Sequence, residues 1–180
     1  MSDTLITIIA IFLLAVLMFV VPLMSISERN DDISQSVVQT ATSEFVGKVS
    51  ITGLIKPRSD YEAYLAKLSA TGNTYEIEIE VQHIDENPGK KSATTSGSLA
   101  GENVRYSTFT TEILEYMYPE NDEPRPYPLK KGDNVIVTVK NTNKTIAQTL
   151  RTFFYKVTGQ GTYQVAASSS SMVVNTGKTN

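Results

Sequence analysis

The sequence predicts an α+β protein in which a long N-terminal helix, apolar in its first half and amphipathic in its second, packs on a small antiparallel-sheet head. Three observations predict it. Leu5 to Met24 (LITIIAIFLLAVLMFVVPLM) carries no charged side chain and has only Thr7 and Pro22 outside the apolar set. Helical periodicity then continues past Met24 with no Gly/Ser/Pro-rich joint. Further on, two stretches alternate apolar and polar residues with the period of two that a half-buried strand requires.

Composition sets the outer bounds. A chain of 180 residues accommodates a helical stalk and one domain with its own hydrophobic core. The divisions expected are residues 1–24 (apolar helix), 25–50 (amphipathic continuation), 51–176 (α+β head) and 177–180 (loose C-terminus). Lys and Arg total 16 against 19 Asp and Glu, a formal charge of −3, and basic residues never run beyond the pairs Lys90-Lys91 and Lys130-Lys131. This excludes the basic footprint of a nucleic-acid binder. With no cysteine and a single histidine, His83, neither a disulfide framework, thiolate chemistry nor a histidine-based metal site is expected.

The first element is the apolar run. As an α-helix it is about 30 Å long at 1.5 Å per residue, the hydrocarbon thickness of a bilayer. A secretory signal, a permanent anchor and the assembly helix of a filament subunit all begin this way. Ser25-Ile26-Ser27 has the small-x-small form of a cleavage site, but the preceding MSDT lacks Lys and Arg, contains Asp3, and leads into a run longer than a signal needs. Arg29 after the run, read literally, would hold the head inside. It is offset by Glu28, Asp31 and Asp32, and a large following domain is translocated regardless of one arginine. Assembly or membrane contact is expected of Asp3, Leu5, Ile6, Ile9, Phe12, Leu13, Val16, Phe19, Val20 and Pro22. Pro22 should remove one backbone bond and kink or loosen the helix.

The second element continues the first. Ile26, Ile33, Val37, Ala41, Phe45 and Val49 fall mostly four apart, with Glu28, Arg29, Asp31, Asp32, Ser34, Gln35 and Glu44 off the stripe. One helix from about residue 3 to about residue 48 is implied. Ile33, Val37, Ala41, Phe45 and Val49 are expected to pack it onto the head.

An apolar N-terminal helix with an internal proline, running unbroken into an amphipathic half that carries a small α+β head, resembles type IV pilins and pseudopilins, over residues 1 to about 50. The tight-adherence pilins are one divergent branch of that kind. The resemblance implies that the apolar half-helices leave the membrane and bundle in a filament core while the heads form its surface. Family members carry a glutamate a few residues into the helix, thought to pair with a neighbour's N-terminal amine; Asp3 is the candidate here. They also carry a leader ending in a small residue, so either Met1 is the processed end or this chain is not processed in that way.

In the head, Ser59-Asp60-Tyr61-Glu62 has the form of a capping box opening a helix that ends near Gly72, with Tyr61, Tyr64, Leu65 and Leu68 inward. Asn73 to Ile84 is the clearest strand: Tyr75, Ile77, Ile79 and Val81 on one side, Glu76, Glu78, Glu80 and Gln82 on the other. Three glutamates in period two line a solvated sheet face; general bases or a cation site would need a cleft that separates their pKa values. His83 has the parity of the buried face and reads as a packed or rim histidine rather than a ligand.

Residues 85–103 have the composition of an exposed loop. Arg105 to Thr111 is expected to pair as a strand, and Thr111 to Tyr118 to form a short helix with Ile113, Leu114 and Met117 inward. Tyr118 to Leu129 is proline-rich and acidic and reads as a surface loop; Glu120, Asp122 and Glu123 do not have EF-hand spacing. Lys131-Gly132-Asp133 turns the chain into a strand over Asn134 to Lys140, with Val135, Val137 and Val139 inward. Asn143-Lys144-Thr145 has the form of a glycosylation sequon. Ile146, Ala147, Leu150, Phe153, Phe154 and Val157 follow a helical pattern, with a strand as the alternative. A last strand runs from about Thr162 to the serines before Met172 or just past them.

No nucleophile–base pair, glycine-rich phosphate loop or GxSxG elbow stands out, so no enzyme, no cofactor and no metal are expected. The expected function is a structural filament subunit, inserted in membrane lipid first and then assembled with identical subunits by pilus assembly machinery at the cell surface. The alternative is a single-pass membrane-anchored surface or secretion-system protein whose non-catalytic head binds a partner.

Overall fold

The structure, a computed structural model, describes residues 2–84, 105–142 and 166–178. It is an α+β protein in which one long helix packs on a small antiparallel sheet. Helix α1 (Ser2–Thr52) is unbroken and runs through Pro22. At 1.5 Å per residue it is about 76 Å long, and its second half packs on the described part of the head.

Gly53 ends α1 in the left-handed region at φ 67°, the conformation a helix terminus commonly assigns to glycine. Three of the last four carbonyls of the helix then find donors. Gly53 N–H donates to Val49 O at 2.8 Å, Val174 N–H to Ser50 O at 2.9 Å, and Asn175 Nδ2 to Ile51 O at 2.9 Å. A Cβ on Gly53 would lie 2.1 Å from Asn175 O, so no other residue fits there. The C-terminal segment is therefore the cap of the first helix. Gly177, expected in a loose tail, is instead fixed by donating its N–H to Leu129 O at 2.9 Å.

Strand β1 (Leu54–Ile55) follows and then a π-helical turn, Pro57–Glu62, leading directly into α2 (Ala63–Ser69). The expected capping box does not form. Asp60, not Ser59, does the capping: its Oδ2 accepts the Lys56 N–H at 3.0 Å, and Lys48 of α1 sits 2.6 Å from its Oδ1. That tertiary cation holds the carboxylate turned back over the turn. Tyr64 and Leu68 are buried, Tyr61 and Leu65 half-buried.

Four strands form the main sheet: β2 (Tyr75–Ile84), β3 (Arg105–Phe109), β5 (Asn134–Asn141) and β6 (Ala166–Met172), all antiparallel in the order β3-β2-β5-β6. Helix α3 (Thr110–Met117) continues from β3 with Ile113 and Met117 buried and Leu114 half-buried. Strand β4 (Tyr127–Pro128), inside the expected loop, pairs with β1. At two residues it is too short for periodicity to register. The turn before β5 places Gly132 at φ 96°.

The sheet buries Ile79, Val81, Val135, Val137, Val139 and Ala167 against Val38, Ala41, Phe45, Val46 and Val49 of α1. Register explains the serines of β6. Ala167, Ser169 and Ser171 lie opposite Val139, Val137 and Val135 and so face α1, which packs on β6. Small side chains there let the helix approach the sheet closely. The loop at 85–103, the sequon at Asn143 and the periodic stretch from Ile146 to Val157 lie outside the described residues.

Candidate functional site

The surface that distinguishes this molecule is the first half of α1. From Leu5 to Val21 its exposed Leu, Ile, Val, Phe and Met side chains keep between 39 and 74% of their surface, all around the helix. Leu5, Ile6, Ile9, Phe12, Leu13, Val16, Phe19 and Pro22 are all exposed and Val20 is half-buried. Among the described residues this is the one helix long and apolar enough to cross a membrane, and none of its apolar window is buried.

The polar groups in the run are handled locally. Thr7 Oγ1 donates to Asp3 O at 2.7 Å, within its own helix, which removes the cost of placing a hydroxyl in hydrocarbon. Asp3 lies in the first turn, where a carboxylate is favoured by the helix dipole. Pro22 lies in the last turn of the run, where the carbonyl of Met18 loses its intrahelical donor.

Leaving this surface in water is untenable on magnitude alone. At about 1.5–3 kcal/mol for each large apolar side chain, its exposure is worth on the order of 20 kcal/mol. That exceeds the roughly 5–15 kcal/mol net stability of a domain, so lipid or protein must cover it.

The second half of α1 holds the head by part of the expected stripe and by residues beside it. Ala41, Phe45 and Val49 are buried, whereas Ile33 and Val37 stay 62% and 40% exposed. The gripping face runs Asp31, Ser34, Val38, Ala41 and Thr42, Phe45 and Val46, Val49 and Ser50, all buried. The correction follows from helix geometry: each step of four residues overshoots a full turn by about 40°, so a ladder of fours spirals off any straight face. Steps of three and four mixed, as from Asp31 to Ser34, Val38, Ala41 and Phe45, keep to one side, and Thr42 and Val46 flank that line.

At the centre of this grip Phe45 stacks on Tyr64 of α2 with ring centroids 4.7 Å apart. The Tyr64 hydroxyl meets Thr42 Oγ1 at 2.9 Å, and Thr42 also donates to Val38 O at 2.7 Å. Burial pushes the Tyr64 phenol up to about 12, with the Thr42 bond acting the other way. Glu44 and Lys67 form an ion pair between α1 and α2 at the surface.

The remaining sequence candidates are structural in their placement. Glu76 and Glu78 are exposed on the outer face of the sheet, and Glu78 lies 3.9 Å from Lys140. Glu80 accepts from Ser107 Oγ at 2.7 Å and Gln82 Nε2 at 3.1 Å, which together hold its carboxyl below the ordinary range. His83 is buried and bonded at both ring nitrogens: Nδ1 with Asp133 Oδ2 at 2.9 Å, Nε2 with the Tyr127 hydroxyl at 3.2 Å. Asp133 Oδ2 also accepts the Lys130 N–H at 2.8 Å, so this cluster fastens the turn before β5 to the centre of the sheet. Burial raises the Tyr127 phenol. Strand parity points His83 inward, but nothing in sequence pairs it with residues 44 and 50 positions away.

No family model, curated protein or solved structure matches the chain.

Proposed function

We propose that this chain is the structural subunit of a type IV pilus-like filament, held in the membrane by the apolar half of α1 and assembled through that same half. One observation carries the reading: a helix apolar on every side for about 30 Å continues without a joint into a helix locked in the head. An anchor needs only the span. A span rigidly continuous with its head also fixes where each head lies once the apolar halves pack together, which is what a repeating assembly requires.

In this mechanism the subunits wait in the bilayer, are extracted, and stack Leu5 to Met24 into an apolar core. Asp3 pairs with an amine of a neighbouring chain there, and the heads, with no catalytic role, form the outer surface. The resemblance in residues 1 to about 50 supports this reading, as does the satisfaction of Thr7 within its own helix.

The test is electron microscopy of material sheared from cells producing the protein, with the subunit identified by mass spectrometry. Thin filaments containing this chain are the expected result. Protein confined to the membrane fraction, with no fibre, would replace the filament subunit by a single-pass anchored protein with a binding head.

A further inference from the structure

Beyond the membrane edge α1 carries a second exposed apolar ridge. Ile26, Ile33 and Val37 are exposed at 65, 62 and 40%, away from the face of α1 that grips the described head, and Val37 and Thr40 border an open groove whose other wall is Lys67 and Ala70 of α2. With 100° per residue these three lie within about 40° of each other, and about 120° around the helix from Val38, Phe45 and Val49, which grip the head. Ile33 and Val37 also stand about 13 and about 20 Å past Met24 along the axis, too far for the hydrocarbon that covers the apolar half to reach.

The spacing identifies what covers them. Leu5, Ile9, Phe12, Val16, Phe19, Leu23, Ile26, Asn30, Ile33, Val37 and Thr40 follow one another by alternating steps of four and three, the seam of a left-handed coiled coil. In the apolar half any line would look like this. Past the membrane the pattern is informative, because Glu28, Arg29, Asp31 and Asp32 all avoid the seam. It ends where Glu44, the next position, turns to Lys67 of α2.

We infer that two copies of this chain pair in the membrane as a parallel coiled coil along Ile26, Asn30, Ile33, Val37 and Thr40, continuing into the apolar halves. A second copy is the occupant on physical grounds. The bilayer sets all copies parallel and at one height, so each seam residue meets its own counterpart, and a seam of this spacing is complementary to itself. Within lipid the apolar halves gain no hydrophobic drive to associate, so the part outside, Ile26 to Thr40, supplies it. Asn30, a lone amide at an inward position, meets Asn30 of the second copy and fixes register and strand number, the role such an asparagine plays in dimeric coiled coils.

The chain has no cysteine, so single cysteines report the contact without background. Ile33→Cys and Val37→Cys, each in the full-length protein in isolated membranes, should form disulfide-linked dimers under mild oxidation, several-fold more than Asp32→Cys, which lies off the seam. Protease resistance of the head establishes that each variant is folded. Equal yields at the three positions, or no dimer at 33 and 37, would overturn the pairing; the latter includes the case in which another part of the same chain covers the ridge. Because the assay uses membranes without filaments, it separates the two readings. Filaments from a chain that does not cross-link would remove the dimer alone, and cross-linked dimers in cells without filaments would remove the filament alone.

Discussion

Tyr64 joins the two helices of the grip through stacking on Phe45 and a hydroxyl contact with Thr42. Tyr64→Phe keeps the ring and removes the bond, and Thr42 retains Val38 O as acceptor, so the expected loss is about 1 kcal/mol in denaturant unfolding. The same variant tests the alkaline limit. An unfolded tyrosine ionises near 10.0, whereas Tyr64 holds its proton to about 12. The unfolded chain therefore loses its proton first: the contribution is complete below pH 10 and drains away as pH rises toward 12. Unfolding of the parent chain and Tyr64→Phe across that window should show a shallower decline in the variant; equal slopes would rule out Tyr64 as a source. Asp133 is the other residue with several obligations, to His83 and to the Lys130 N–H. Asp133→Ala leaves the buried His83 ring nitrogen and the part-buried Lys130 N–H without this acceptor and should cost roughly 1–3 kcal/mol in all, read as a lowered unfolding midpoint.

Between elements, the decisive contact is α1 on the sheet. Phe45→Ala opens a cavity between α1 and α2 and is expected to destabilise the head by about 3–5 kcal/mol, while Ile33→Ala should stay within about 0.5 kcal/mol. Urea unfolding of the full chain in detergent, followed in the head, measures both; a large loss at Ile33 would restore the stripe of fours. At the π-helical turn, Asp60→Ala leaves the Lys56 N–H without its acceptor and Lys48 without its partner. A loss of about 1–3 kcal/mol is expected, limited because Lys48 remains half in water. Sequence placed this helix start correctly to within a few residues but assigned the cap to the wrong side chain, because Asp60 is held by Lys48, twelve residues away on another helix.

For the whole molecule, the consequence lies in the unbroken passage from apolar to gripping helix. A lysine at Leu13 adds about 3 kcal/mol to insertion, which a run this apolar absorbs. It should nonetheless abolish filaments, since a buried charge has no partner in an apolar core. Membrane fractionation and microscopy of the same cells read the two effects separately, and filaments at normal yield would refute assembly through this half. Asp3→Ala should slow assembly with the head intact, and an unchanged filament yield would remove the role assigned to Asp3.

The fold class, the continuous helix and the two central strands follow from local pattern along the chain. Each of these rests on a local period: all-round apolarity over Leu5 to Met24, alternation over Tyr75 to Val81 and over Asn134 to Lys140. Which side of α1 meets the head is set by packing between distant parts of the chain. Apolar residues occupy two sides of that helix, and periodicity cannot tell a side that packs within the chain from one kept for another chain. It was tertiary structure, too, that made a serine-rich strand the floor under α1, turned the C-terminal segment into the cap of the first helix, and joined His83 to Asp133 and Tyr127. These are contacts between distant residues, and no local pattern encodes them because the side chains involved meet only once the sheet has brought them together.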